Sequence, residues 1–371
     1  MDERSYWVGL NLVKGIGAAR FNTLVETFGS AQAAWNAPVS ALNASGLPKP
    51  VIKELLDLRD NTDLQALLED FESNGITLLT PEDGAYPHRL KQIDQPPPVL
   101  FVLGEITPND DWAVGIVGTR RMSPYGQQVA EELARFLAAN GVTVVSGLAR
   151  GIDSVAHQAA LDAGGRTIAV LGSGVDQIYP AENRGLAARM QQQGAVISDY
   201  APGTPPEGSN FPPRNRIIAG LSIATVVIEA GKRSGANITA QFAVEQGKEV
   251  FAVPGNIYAP QSVGTNKLIQ DGAHPLLKPE DLLDVLNLTL VTEHQQARMV
   301  LPENAAEAAI FGVLGYEPLH VDQIGIQANL PIEEISATLA LMELKGMVRQ
   351  VGGMRYIAIR EAKNDYQVKE D

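Results

Sequence analysis

Six short apolar runs divide the middle of the sequence, each closed by a glycine-rich or polar turn and followed by a stretch of helical period. They read "AVGIVG" (113–118), "VTVVSG" (142–147), "TIAVLGSG" (167–174), "AVISDY" (195–200), "ATVVIEAG" (224–231) and "EVFAVPG" (249–255). β-Branched runs that do not alternate with polar residues belong to strands buried on both faces. The stretch "YGQQVAEELARFLAAN" (125–140) between the first two places Val129, Leu133, Phe136 and Leu137 on one helical face. Strand and helix in alternation specify a parallel, doubly wound sheet. The fold class is α/β.

In such sheets, ligands bind at the carboxyl ends of the strands, where helix N-termini turn their N–H groups outward. The turns of this chain are not the familiar nucleotide-binding ones. "GTRRMSPYG" (118–126) is not G-x-G-x-x-G, and no G-x-x-x-x-G-K-[ST] occurs, so no nucleotide cofactor is expected. The absence of cysteine removes disulfides and thiolate catalysis, and five scattered histidines give no zinc pattern, so no metal is expected either.

What the turns do carry is cations. Thr119, Arg120 and Arg121 follow the first strand, as an anion site or as a solvated loop. In "SGLARGIDSVAHQAA" (146–160), Asp153 occupies a helix-cap position and His157 reads as packed or solvent-facing. Ser146 and Ser154 lie in no G-x-S-x-G elbow. In "FPPRNRIIAGLS" (211–222), Pro212 and Pro213 set an extended entrance that exposes Phe211, and Arg214, Asn215 and Arg216 fill the first helical turn. Arginine there opposes the helix dipole, which points to an expected anion. The alternative makes Phe211 a core staple and pairs the arginines with acids. "EAGKRSGANIT" (229–239) contributes Lys232, Arg233, Ser234 and Gly235, with Glu229 as a catalytic or arginine-paired acid. Asn256, Asn266 and Lys267 follow in "VPGNIYAPQSVGTNKLIQDGA" (253–273). Arg120, Arg214, Arg216, Lys232 and Arg233 thus share one sheet edge with Phe211. Cations beside an exposed aromatic describe a groove for a single nucleic-acid strand.

A formal charge of −14 argues against that at first, but its distribution does not. Residues 1–110 hold 8 Lys/Arg against 15 Asp/Glu, residues 111–285 hold 14 against 16, and residues 286–371 hold 7 against 12. The acid lies mainly in the flanks.

"GIVGTRRMSPYG", "SGLARGIDSVAH", "FPPRNRIIAGLS", "EAGKRSGANITAQFAVEQGKEVFAVPGNI" and "GTNKLIQDGA", in that order, resemble the DNA-processing protein A family (DprA, also called Smf) over roughly residues 80–285. The resemblance implies an extended Rossmann-like sheet that binds single-stranded DNA without catalysis. It also implies a homodimer that protects incoming strands and helps load the RecA recombinase during natural transformation, while the absence of cysteine and of an export signal makes the cytoplasm the default compartment. Carried over by position, the DNA contacts would be Gly118, Thr119 and Arg120, then Phe211, Arg214, Asn215 and Arg216, then Arg233, Ser234 and Gly235. The family often has Gly-Ser-Arg where this chain has Gly-Thr-Arg, and the hydroxyl is kept.

The flanks complete the organisation. Residues 1–75 form an N-terminal helical domain in which "LNLVKGIGAARFNTLVETFGSAQAAW" (10–35) reads as a helix-hairpin-helix (SAM-like) unit turning at Gly15–Ile16–Gly17. The Pro-rich, then polar "PPPVLFVLGEITPNDDW" (96–112) marks a boundary inside the sheet domain, 76–285. Residues 286–303 read as a linker, 304–360 as a winged helix closed by a Gly352–Gly353 hairpin, and 361–371 as a frayed tail. The third helix of the winged unit carries Glu333, Glu334 and Glu343 against Lys345, which favours an accessory role over reading duplex DNA. No apolar run approaches the roughly 20 residues that cross a bilayer, and the start "MDERSYWVGLNL" has no export signal. The rival function is a phosphoribohydrolase-like nucleotide enzyme using Glu229, although the Pro-Gly-Gly-x-Gly-Thr signature of that class is absent.

Overall fold

The structure is a computed structural model that describes residues 3–286, 304–314, 319–328, 330–344, 348–351 and 354–358. The chain divides into two compact units, Met1–Leu282 and Leu283–Asp371.

The first unit opens with six helices: α1 (Glu3–Leu12), α2 (Ala18–Phe28), α3 (Ala31–Asn36), α4 (Val39–Ala44), α5 (Lys49–Asn61) and α6 (Leu64–Ser73). Gly15, at φ +99°, makes the turn between α1 and α2, as the helix-hairpin-helix pattern requires. Asp63 starts α6 by accepting from the Gln65 and Ala66 amides. Phe21, Leu24, Leu42 and Leu55 form a fully buried centre, with the Trp7 ring 4.7 Å from that of Phe21 and tilted by 40°. That core is not closed by helices alone. Val99 and Phe101 enter it from the sheet side, and Phe71 meets Phe101 edge-on at 5.7 Å.

The sheet is built from β1 (Thr77–Leu79), β2 (Leu100–Gly104), β3 (Ala113–Val117), β4 (Thr143–Ser146), β5 (Thr167–Val170), β6 (Gly194–Ser198), β7 (Ala224–Val227), β8 (Glu249–Ala252) and β9 (His274–Pro275). All six expected strands are present as β3 to β8. β3, β4, β5, β6 and β7 are buried along their whole length, as runs without alternation demand. The intervening helices are α7 (His88–Lys91), α8 (Pro124–Ala139), α9 (Ile152–Asp162), α10 (Arg184–Met190), α11 (Phe211–Leu221), α12 (Gly235–Glu245) and α13 (Val263–Gln270), and α14 (Glu280–Leu286) follows β9 at the division between the two units. Leu133 and Leu137 of α8 are buried where the helical period placed them, and Ile217, Ile218 and Leu221 of α11 likewise. The strand order is β1-β2-β6-β5-β4-β3-β7-β8-β9. β3 to β9 run parallel, while β2 is antiparallel to both β1 and β6.

One expectation is corrected. The stretch 96–112 is not a break in the sheet, because its "LFVLG" is β2, buried between β1 and β6. The prolines delay the strand without preventing it, since they precede its first ladder residue.

In the second unit, helices Ala305–Val313, Val321–Ala328 and Ile332–Leu344 pack with a sheet of order β10-β12-β11, where β10 is Leu319–His320, β11 Val348–Gln350 and β12 Arg355–Ala358. Ile335, Leu339 and Met342 are fully buried against Ile310, Phe311 and Ile324. Glu334 and Glu343 are exposed on the third helix. The linker from residue 287 to 303, Lys345, the Gly352–Gly353 turn, the Glu333 side chain and the tail lie outside the described residues.

Because Phe101 belongs to the sheet yet is buried in the helical core, Phe101→Ala is expected to destabilise both by about 3–5 kcal/mol. Denaturant unfolding followed by far-UV and tryptophan signals should show one shared shift. Separate transitions, with the helices unaffected, would contradict the common core.

Candidate functional site

From β3 the chain steps outward through β4, β5 and β6, then returns to lay β7 on the other side of β3 and continues outward through β8 and β9. The connections therefore leave β3 and β7 in opposite directions, which opens a crevice at their carboxyl ends. A cleft of about 770 Å³ fills that position.

Nine of the ten residues expected at the site line this cleft. Gly118, Thr119 and Arg120 leave β3; Phe211, Arg214 and Asn215 come from the start of α11; Arg233, Ser234 and Gly235 form the turn into α12. Arg121 joins them at the rim. Arg120, Arg121 and Arg233 are exposed. Ser234 caps α12, accepting from the Ala236 amide at 3.3 Å, so the positive end of that helix faces the cleft.

Arg216 is the exception. Residues two apart on a helix point to opposite sides, and Arg216 turns away to pair with Asp199 at 2.8 Å, its side chain 15% exposed. It also donates to the Gln95 carbonyl and lines a second cavity, of about 930 Å³, with Phe242 and Lys248. The acid-pairing alternative holds for this arginine. Lys232 is exposed beyond the cleft lining.

The prolines also sit differently from the expectation. α11 begins at Phe211, so Pro212 and Pro213 lie within its first turn instead of forming an extended entrance. The first turn has no partners for its N–H groups, which makes it the place where proline costs a helix least. Phe211 is half-buried. The Arg120 guanidinium lies 5.7 Å from its ring centroid, and the Tyr179 ring lies 5.8 Å away, tilted by 38°.

Arg214 forms the floor. It is 5% exposed and donates to the Gly147 carbonyl at 2.9 Å. A Cβ on residue 147 would lie 2.6 Å from its guanidinium, so glycine is what lets the arginine through. Burial lowers its pKa to about 10, against the opposing pull of Asp153 and Asp199, which leaves it charged at neutral pH. Asp153 is raised to about 6, chiefly by burial, with Arg214 pulling the other way.

The other acid–base candidates are structural. His157 is buried with Nδ1 2.6 Å from the Thr167 hydroxyl, and burial pushes its pKa down to about 3. The Glu229 carboxylate accepts from the Ser123 amide at 2.9 Å and the Ser123 hydroxyl at 2.5 Å. Its carbonyl accepts from the Thr119 amide at 2.8 Å. Glu229 therefore ties the end of β7 to the turn after β3, where a catalytic or arginine-paired role was expected. Sequence reasoning missed Tyr179, whose one signal was an aromatic in the turn after β5.

Arginines around neighbouring aromatic rings at a switch point suit a flexible polyanion with planar groups. Residues 77–287, more than half the chain, match the model for DNA recombination-mediator protein A, and residues 295–354 match the DprA winged helix domain.

The chain belongs to the DNA processing protein A (DprA/Smf) family.

Protein Smf of Synechocystis is 35% identical, over 96% of this chain and 98% of the relative. DNA processing protein DprA of Bacillus subtilis is 42% identical, over 60% of this chain and 75% of that one. The X-ray structure of DprA from Streptococcus pneumoniae superposes with a TM-score of 0.67 at 34% identity, covering 76% of this chain and 97% of that one. DprA from Helicobacter pylori, solved in a study of its single-stranded DNA binding mode, gives 0.52 at 32% identity, covering 57% and 95%.

The buried Asp153 makes a pH prediction for this DprA-family chain. Because its folded pKa is raised, the unfolded chain loses the proton first as pH climbs past 3.8, and stability drains away until about pH 6. Asp153→Asn should therefore gain on the wild type between pH 4 and 7, on the order of 2–3 kcal/mol at about 1.4 kcal/mol per pKa unit. Thermal melts across that window check it. A difference that stays flat would show that Asp153 is ionised throughout.

Proposed function

We propose that the cleft binds single-stranded DNA without transforming it, and that the protein protects the strand and delivers it to the RecA recombinase. The observation that carries this reading is the pair of rings, Phe211 and Tyr179, lining a cleft rimmed by Arg120, Arg121 and Arg233. A ring beside a cation can stack a base and neutralise its phosphate, but only if the base is free of a duplex stack. The work on the Helicobacter pylori relative, which concerns single-stranded DNA, supports the same ligand class.

The non-catalytic part of the proposal rests on the acids. Among the described residues lining the cleft, Asp153 is the one carboxylate, and it is 7% exposed and faced by Arg214. Glu229, the residue a nucleotide-hydrolysing site would use, is committed to Ser123. We propose as part of the same reading that the protein acts as a homodimer in the cytoplasm during natural transformation; the description of the matched family model as a recombination mediator supports the delivery to RecA. Among the described residues no helix is long and apolar enough to cross a membrane.

Titration of an oligothymidylate strand tests the cleft. Phe211→Ala should weaken binding by about 1–3 kcal/mol, the worth of one base–aromatic stack. Arg120→Ala should reduce the slope of log K against log salt by roughly 0.7, one phosphate contact on a single strand. Unchanged binding in both variants would remove the cleft as the DNA site.

A further inference from the structure

The cleft continues past Phe211. Beyond its ring the surface narrows to a notch of about 30 Å³ between Arg120, Tyr179 and Arg150. A water needs roughly 10–15 Å³ of such space, so the notch holds about two waters and no base. Nor does one fit between the rings. Their centroids are 5.8 Å apart, whereas a sandwiched base needs about 7 Å, twice the ~3.5 Å contact between carbon atoms. Phe211 and Tyr179 are therefore neighbouring platforms, not jaws.

Tyr179 is 43% exposed, and Arg150 lines the same notch beside it. Arg150 is gripped by Glu182 in a fork, Nε to Oε1 at 2.8 Å and Nη2 to Oε2 at 2.8 Å. Both side chains are more than half exposed, at 59% and 56%. An ion pair this open adds little stability. A phosphate presents the same two-oxygen geometry to a guanidinium and can take the place of the carboxylate.

We propose that Tyr179 and Arg150 form a second nucleotide subsite beside that of Phe211. Tyr179 stacks the adjacent base, Arg150 takes its phosphate, and Glu182 holds the guanidinium in position until the strand arrives. This inference rests on the reading of the cleft as a single-strand site.

The test uses the full chain and oligothymidylate. Tyr179→Ala should lose roughly 5- to 150-fold in affinity, the equivalent of one stacked base, and Tyr179→Phe should restore most of it. Glu182→Gln should bind more tightly than the wild type by freeing Arg150. The same change made on an Arg150→Ala background should have no effect, a coupling that a double-mutant cycle isolates. If Glu182→Gln strengthens binding equally on both backgrounds, bulk charge explains it and the role of Arg150 is overturned. If Phe211→Ala weakens binding while Tyr179→Ala does not, the subsite is refuted and the cleft stands. If neither does, the cleft reading itself fails.

Discussion

The architecture of the site depends on one buried cation. Arg214 reaches from the first turn of α11 under the cleft to the Gly147 carbonyl after β4, within the electrostatic reach of Asp153 and Asp199. Withdrawing a guanidinium from water costs several kcal/mol unless partners replace the solvent. Those partners come from separate parts of the chain: the turn after β4, the first turn of α9 and the segment after β6. The arginine is satisfied only when all of them are in register, so it fixes where α11 begins. That in turn fixes Phe211, three residues earlier in the same helix turn. Removing Arg214 would leave the buried Asp153 without its counter-charge, while Asp199 would keep Arg216.

The "RNR" of α11 therefore does two jobs on two faces. Arg214 organises the floor of the cleft, and Arg216 bolts the same helix to Asp199 and the Gln95 carbonyl. Neither projects freely into solvent. The charge offered to a ligand comes instead from Arg120, Arg121 and Arg233, on turns whose positions are set by Glu229 and by the Ser234 cap. Acids and arginines within the chain position the site, and a smaller set of arginines remains to meet phosphate. This explains how a chain of formal charge −14 can present an electropositive cleft.

Much of this was legible in the sequence, and the reasons are physical. Strands buried on both faces leave unbroken apolar runs, so β3 to β8 could be read directly. The turns that follow them must converge at one sheet edge, which placed nine of the expected residues together. The faces of α11 were harder. Dipole arguments apply to both arginines of the first turn alike, while the angular step between residues 214 and 216 separates them. β2 was hidden because its prolines read as a boundary, although the apolar run after them is that of a central strand. Glu229 and Tyr179 owe their roles to partners far along the chain, Ser123 at 106 residues and Phe211 beside the Tyr179 ring. No local pattern reports contacts of that range.

Hydrogen exchange of the full chain, with and without saturating oligothymidylate, tests the central claim most directly. The account predicts protection concentrated at the turn 118–121, the start of α11 at 211–215 and the turn 231–236, with the winged-helix unit unchanged. Protection centred on the helix Ile332–Leu344, with those three turns unaffected, would contradict it.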